Sequence, residues 1–192
     1  MPANTPIKVC SRASVLMGGS PISSFDEGTA EADVVDAMYE DIARAALTST
    51  RWRFATNQQV LNRLSAAPTS RFDAAYQMPS DLLMLSAVTV NDDPIIYDIY
   101  GDKVYCDTST NEIVVADYIY RASEAYWPSY FTLAVEFQVA AMLSISIARD
   151  ASLGSMMDQQ AERQMIKARR LDSQQQTTRK LMTSRFIAQR RS

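Results

Sequence analysis

The chain of 192 residues contains no histidine, two cysteines and five glycines. Without histidine, neither a Ser-His-Asp nor a Cys-His catalytic site can form, and the commonest protein ligand of transition metals is missing. The glycines form no Walker A loop and no G-x-G-x-x-G fingerprint, and Gly18-Gly19 is followed by Pro21 where a phosphate loop would need a helix start. We therefore expect no catalytic centre of these kinds, no cofactor and no metal site.

The two cysteines, Cys10 and Cys106, are too isolated in sequence to form a metal-ligand motif. They are predicted to be buried free thiols in a reducing compartment. The first residues, MPANTPIK, lack the apolar segment of a signal peptide. The protein is therefore expected to act, or to be assembled, where it is made.

One long apolar run, Tyr126–Ala148, dominates the hydropathy of the chain. A helix that is apolar on nearly every side is either a buried core helix or a membrane span. The run is long enough to span a bilayer, but a carboxylate such as Glu136 near its centre costs roughly 2.5–3.5 kcal/mol on insertion scales. Because Gln138 adds a second polar group and no cluster of basic residues flanks the run, we predict a core helix.

Periodicities of three to four residues predict four helices, over residues 7–17, 29–49, 123–148 and 151–176. Gly18-Gly19 is predicted to end the first helix, and Thr29 to cap the start of the second. The inner face of the second helix is predicted to consist of Val34, Val35, Met38, Ile42, Ala45 and Ala46.

Alternating apolar residues and regularly spaced turn residues predict strands over residues 58–64, 82–90, 95–100, 103–107 and 112–121. Residues 82–90 are predicted to form either one long strand or a pair of strands. The predicted fold class is α+β, an antiparallel helix bundle with an inserted antiparallel β-meander between helices two and three. The bundle comprises residues 1–56 and 122–176, and the inserted β-domain comprises residues 57–121. A flexible basic arm, residues 177–192, follows the bundle.

The charges are distributed unevenly along the chain. Residues 149–192 contain ten Lys/Arg and four Asp/Glu, whereas residues 1–148 contain nine and 18. After Thr177 there are five basic residues, no acidic residue and too few apolar residues for a core. Three interpretations remain open for this arm: a solvated terminus, a nucleic-acid-binding tail and a segment that docks on another protein. Docking is favoured because a phosphate binder has no need of Phe186 and Ile187.

Three pairs of neighbouring carboxylates, Asp26-Glu27, Glu40-Asp41 and Asp92-Asp93, are the remaining candidates for chemistry. Two carboxylates on opposed elements can hydrolyse a glycoside. Sequence neighbours seldom face each other across a substrate, so Asp26-Glu27 is interpreted as a structured turn before a helix, and Asp92-Asp93 as a plain turn before Pro94. A carboxylate-based glycan hydrolase and a nucleic-acid-binding module are kept as alternatives.

Several segments, taken together, resemble one protein family. They are the first helix with Gly18-Gly19, the segment Pro21–Thr29 (PISSFDEGT), the acidic helix that follows it, Trp52-Arg53-Phe54-Ala55, Met78-Pro79-Ser80-Asp81 and the two-helix finish. Over about residues 5–175 the chain resembles the head-to-tail adaptors of short-tailed bacteriophages, the tail tubular protein A family.

The resemblance implies a structural virion protein, not an enzyme, located at the head–tail interface and assembled in the cytoplasm of the bacterial host. Its expected partners are the portal protein, the tail nozzle protein, a tail fibre and other copies of itself, which form a ring of twelve subunits. The ring lines the channel for DNA ejection, through which viral DNA passes without specific binding, and it contacts no membrane. An acidic body suits such a channel, because it repels phosphate.

The resemblance also implies roles for individual residues. The predicted portal-docking arm consists of Arg179, Lys180, Leu181, Met182, Arg185, Phe186, Ile187, Arg190 and Arg191. The predicted subunit-contact loop lies within residues 22–29 and consists of Ile22, Phe25, Asp26 and Glu27. The β-meander is expected to contribute ring and nozzle contacts.

Overall fold

The computed structural model describes residues 4–66, 68 and 71–175. Its helices are α1 (Pro6–Leu16), α2 (Ala30–Thr48), α3 (Ser129–Ser146) and α4 (Ala151–Gln174). Its strands lie between α2 and α3 and are β1 (Thr56–Val60), β2 (Asn62–Arg63), β3 (Ala74–Gln77), β4 (Leu82–Val90), β5 (Asp93–Pro94), β6 (Tyr97–Tyr100), β7 (Lys103–Cys106) and β8 (Val114–Tyr120). The predicted α+β class is confirmed.

The helix ends follow local rules that the sequence predicts well. Thr29 Oγ1 accepts a hydrogen bond from Ala32 N and so caps α2, as predicted. Gly18, with φ +88°, takes the left-handed conformation that ends α1. Asp150 caps α4 by accepting from Ser152 N and Leu153 N. These contacts satisfy backbone donors that would otherwise have no partner at a helix start.

Helix α3 packs in the core against α1, α2 and α4, as predicted for the apolar run. Among the described residues it is the one helix long and apolar enough to cross a membrane, but 56% of it is buried inside the protein. Its start differs from the prediction. Glu124–Tyr126 forms a separate 3-10 turn, because Pro128 holds the chain extended immediately before the helix.

Helix α4 runs antiparallel to α3 after a tight reversal at Arg149, which has φ +52°. Gly154 allows the close approach: a Cβ at this position would lie 2.5 Å from Cγ1 of Ile145 on α3. Glycine lowers helix propensity by about 1 kcal/mol relative to alanine, so its presence within α4 reflects packing.

The predicted inner face of α2 is partly wrong. Met38 and Ala45 are exposed, whereas Ala32, Tyr39 and Ala43 are buried. The buried stripe is therefore rotated toward Tyr39, whose hydroxyl donates a hydrogen bond to the buried Glu124. A tyrosine can occupy the inner face because its polar end has a partner there.

The strands form two antiparallel sheets of four strands, in the orders β1-β8-β4-β5 and β2-β3-β7-β6. The predicted strand over residues 58–64 is divided at Leu61, which is buried between β1 of one sheet and β2 of the other. The strand β3 was not predicted, because Ala74-Ala75 has little β propensity. Part of the predicted turn at residues 91–94 is also paired, since Asp93–Pro94 lies beside Thr89 and Val90.

Two clusters of buried residues make up the core. One joins the four helices with Trp52, Phe131 and the end of β8. The other consists of strand residues, such as Tyr76, Val88 and Val104, enclosed by the two sheets. Cys10 and Cys106 are both buried and unpaired, as predicted. Burial, together with the charge of Glu124, raises the pKa of Cys10 to about 12.

Candidate interaction surfaces

The predicted subunit-contact loop folds largely upon itself. Glu27 accepts hydrogen bonds from the backbone and hydroxyl of Ser23 at 2.8 and 2.6 Å and from the hydroxyl of Thr29 at 2.8 Å. The bonds from Ser23 and Thr29 lower the pKa of Glu27 to about 2. Gly28, with φ +76°, turns the chain toward the α2 cap. Glu27 therefore organises the loop that positions the start of α2.

The other three residues of this loop differ in what they present to a partner. Ile22 is buried in the helical core, and Phe25 packs half-buried against it. Phe25 also lines a shallow surface depression with Pro6. Asp26 is exposed. The loop therefore offers an apolar edge at Phe25 and one solvated carboxylate, and its role in subunit contact stays a prediction.

The end of α4 is fixed by a buried carboxylate that the sequence did not single out. Asp172 accepts a hydrogen bond from Arg53 N at 3.1 Å and one from the hydroxyl of Tyr130 at 3.0 Å. Burial, together with the hydrogen bond to Asp172, raises the pKa of Tyr130 to about 12. Gln175 adds a hydrogen bond to the same hydroxyl. The last described turn is thus attached both to the segment after α2 and to the start of α3.

The predicted portal-docking arm, Arg179 to Arg191, lies outside the described residues. The Asp172 attachment comes seven residues before it. Helix α4 ends at Gln174, two residues after Asp172, whose hydrogen bond to Tyr130 attaches this end of the helix to the helical body. The basic character of the C-terminal region begins on α4 itself, where Arg163, Lys167 and Arg170 are exposed and, within the described part of the chain, have no ion-pair partner.

A partly buried ionic cluster joins the end of β8 to the helices. Arg121 contacts Glu40 on α2 at 2.8 Å and Glu124 at 2.6 Å, and its guanidinium lies 5.6 Å from the ring centroid of Trp127. Burial opposes the positive charge, but the hydrogen bonds from Arg121 to the two carboxylates outweigh it and raise the pKa of Arg121. The cluster fixes the point at which the chain returns from the sheets, and no sequence motif identified it.

A third buried carboxylate, Glu136 of α3, faces α1. Its Oε1 lies 3.0 Å from Nη1 of Arg12. Burial raises the pKa of Glu136 and outweighs the opposite effect of Arg12, whose side chain is half exposed. The polar position that argued against a membrane span is therefore a helix–helix contact.

The carboxylate pairs considered for hydrolysis are arranged as turns or surface ion pairs. Glu27 is engaged by its own loop, and Glu40 is bound by Arg44 and Arg121. Asp92 occupies a left-handed turn position with φ +66°. In the described ranges, no group of three or more His, Cys, Asp or Glu side chains is arranged to hold a metal ion. This geometry gives no support to the hydrolase alternative.

The sheets present a separate set of exposed apolar side chains. Ile96 is 88% exposed beside β5, and Ile113 is 62% exposed before β8. Val60, Ile99 and Tyr100 are each about half exposed. These residues lie in the region expected to contribute ring and nozzle contacts, and that expectation stays a prediction.

No protein-family model and no curated protein matches the chain. Assignment of a function therefore depends on the sequence resemblance and on the geometry of the surfaces described above.

Proposed function

We propose that this chain is the adaptor subunit that joins the portal to the tail nozzle in a short-tailed bacteriophage. In this proposal α1 to α4 form an antiparallel bundle, and the β region is an insertion between α2 and α3. Copies of the subunit form a ring of twelve around the DNA-ejection channel at the head–tail interface of the virion. The partners are the portal protein, the nozzle protein, a tail fibre and DNA that passes without specific binding.

The observation that carries the proposal is the attachment of α4 immediately before the basic C-terminal segment. Asp172 holds the end of α4 against Arg53 and Tyr130, so the residues that follow start from a rigid body. These residues combine five cations with Phe186 and Ile187. A segment of this composition, starting from a fixed point, suits docking on a neighbouring protein ring, where its ordering is coupled to binding.

In this proposal the chain has no catalytic role, and its buried carboxylates have a structural one. Glu124 and Asp172, both buried carboxylates, have hydrogen-bond partners within the fold. The function proposed for them is structural, because each connects segments that are distant in sequence.

The test is deletion of residues 179–192. The truncated protein should fold and should fail to join portal-containing particles, as measured by co-sedimentation and by averaged electron-microscope images. Normal docking of the truncated protein would contradict the assignment of the arm. A matched variant replaces Leu181, Met182, Phe186 and Ile187 by serine and keeps all five cations; it should lose docking too.

A nucleic-acid-binding module is the second candidate. Arg163, Lys167 and Arg170 of α4 have no ion-pair partner among the described residues, and the sequence after Thr177 adds five more cations. Contacts to phosphates would make binding strongly dependent on salt. The serine variant separates the two functions, since it keeps the charges and removes the apolar contacts. The second candidate would be favoured if the serine variant still binds DNA in a salt-dependent way and the full-length protein does not dock on the portal.

A further inference from the structure

A largely apolar groove lies between α2, α3 and α4. It has a volume of about 510 Å³ and is lined by Met38, Ile42, Met142, Ile145 and Gly154, among others. Met38 is 44% and Ile145 59% exposed. Leaving such side chains in water forgoes about 25 cal/mol for each Å² of apolar surface. The groove therefore has the character of a binding surface.

The polar groups around this groove need positive or hydrogen-bond-donating partners. Asp158 lines the groove, and Glu162 follows one turn later on α4. Asp41 lies three residues after Met38 and therefore neighbours it on the surface of α2. Among the described residues none of the three carboxylates has an ion-pair partner. The buried Oε1 of Gln138, another lining residue, has no hydrogen-bond partner there either.

The opposite side of α4 has the complementary character. Arg163 follows Gly154 by nine residues, which is two and a half turns at about 3.6 residues per turn. Arg163 therefore points away from the groove, and Lys167 and Arg170 lie on the same outer side. Exposed Met156 (51%) and Ile166 (50%) border these cations. One molecule thus carries an acidic, apolar groove and a basic, apolar helix face on different sides.

We infer that the groove of one copy receives the outer face of α4 from the next copy. The two surfaces are different, so the contact is head-to-tail and not self-complementary, and it can close into a ring when the rotation allows. Closure into the portal-bound ring depends on the function proposed above, whereas the contact itself does not. A self-complementary contact would place the three α4 cations against their own copies, which like-charge repulsion disfavours.

The test uses two full-length charge-reversal variants. The first, Arg163→Glu with Lys167→Glu, makes the α4 face acidic. The second, Asp41→Lys with Asp158→Lys, makes the groove rim basic. These side chains are exposed and have no ion-pair partner in the part of the chain that the structure describes, so both variants should fold, as circular dichroism will check.

Self-association is measured by sedimentation velocity over a range of concentrations. The wild-type chain should associate, and each variant alone should associate at least about tenfold more weakly. An equimolar mixture of the two variants should recover the wild-type affinity, because each acidic face then meets a basic groove. The groove variant changes the formal net charge from −3 to +1, because each Asp→Lys change adds two units, and this lowers the overall repulsion between copies. A weaker association of this variant therefore cannot come from its net charge.

The matched control is Asp33→Lys with Asp36→Lys, which makes the same change in charge at exposed positions on the side of α2 away from Met38 and Ile42. It should associate like the wild type. A monomeric wild type, an equal loss in the control, or a mixture that fails to recover would each overturn the inference. Loss of DNA binding with unchanged self-association in the α4 variant would also overturn it and would identify a nucleic-acid surface.

The outcome of the portal-docking experiment is independent of the outcome of the self-association experiment. A chain that associates as described but never joins the portal would leave the head-to-tail contact intact and contradict the adaptor function. If the chain joins the portal through residues 179–192 but the charge reversals leave its self-association unchanged, the adaptor function would stand and the head-to-tail contact would be contradicted.

Discussion

At the scale of single residues, most of the buried or engaged carboxylates hold the fold together. Glu27 accepts hydrogen bonds from its own loop, Asp172 from two distant segments, and Glu124 from Tyr39 and Arg121. Glu124 and Asp172 are buried, and a buried donor left without an acceptor costs about 1–3 kcal/mol, whereas the bonds to Glu27 lie at the surface. The polar residues of this protein therefore have testable effects on stability.

Glu27→Gln should change how stability depends on pH. The pKa of Glu27 is about 2 in the folded protein and 4.5 for the free side chain, so its contribution is complete above pH 4.5 and is lost as the pH falls toward 2. The variant should be less stable than the wild type at neutral pH, and the difference should vanish near pH 2. Urea unfolding across this range measures it. Asp26→Asn is the neighbouring control, and a difference that persists at pH 2 would contradict the assignment.

Asp172→Asn should destabilise the protein by about 1–3 kcal/mol, because the amide keeps one acceptor oxygen, so that either Arg53 N or the proton of the Tyr130 hydroxyl loses its acceptor. Asp158→Asn, an exposed position on the same helix, should change stability by about 0.5 kcal/mol or less. Chemical denaturation of both variants gives the comparison. Equal effects would show that the Asp172 hydrogen bonds contribute nothing specific.

These residues also show which single-residue roles can be predicted from sequence. The partners of Glu27 lie within four residues of it, so a structured turn before a helix could be predicted. The partners of Asp172 are 119 and 42 residues away. A contact at such separation depends on the packing of whole helices, and nothing in the local pattern around Asp172 indicates it.

At the scale of elements, the junction between β8 and the helices depends on Arg121. Arg121→Gln should destabilise the protein by about 3 kcal/mol, because it leaves the buried charge of Glu124 without its cation. Arg44→Gln removes the other partner of Glu40 and is the matched control. Its pair is exposed and spaced i,i+4, so the expected cost is about 0.5 kcal/mol or less.

Thermal and urea unfolding of these two variants decides the comparison. Similar losses for Arg121→Gln and Arg44→Gln would mean that solvent screens the Arg121 cluster as effectively as a surface pair. A further loss of near-ultraviolet circular dichroism in Arg121→Gln would report on Trp127, which lies beside the guanidinium.

The ends of helices could be predicted, because they depend on nearby residues. The pairing of strands could not be predicted, because it depends on residues that are distant in sequence. Thr29 and Gly18 mark helix ends through their own side chain or backbone. The insertion of β8 between β1 and β4 brings together segments more than 50 residues apart. Alternation shows that a strand has one buried face, but it carries no information on which strand lies beside it.

At the scale of the whole molecule, the residues after Gln175 contain too few apolar side chains to form a core of their own. Truncation after residue 175 should therefore leave the melting temperature within about 4 °C of the wild type, the shift that 1 kcal/mol produces in a chain of this size. Differential scanning calorimetry measures it. A larger decrease would mean that the last residues pack on the body, which would contradict their proposed availability to the portal.

The uneven charge has a consequence for assembly at this scale. The groove rim carries Asp41, Asp158 and Glu162, and the outer side of α4 carries Arg163, Lys167 and Arg170. Complementary charges raise association rates and orient the encounter, and salt weakens both effects. Copies of this chain should therefore associate in one orientation, and their association should slow as ionic strength rises.

The Asp172 attachment also determines how the protein would bear mechanical load. Its two partners, Arg53 and Tyr130, lie next to the packed rings of Trp52, Phe54 and Phe131, whose centroids are 4.9 to 6.0 Å apart. Tension entering the chain at Gln175 would be shared between these two segments at the same time, and α4 would not peel away turn by turn. A pull on this end would be transmitted to the packed rings of Trp52, Phe54 and Phe131.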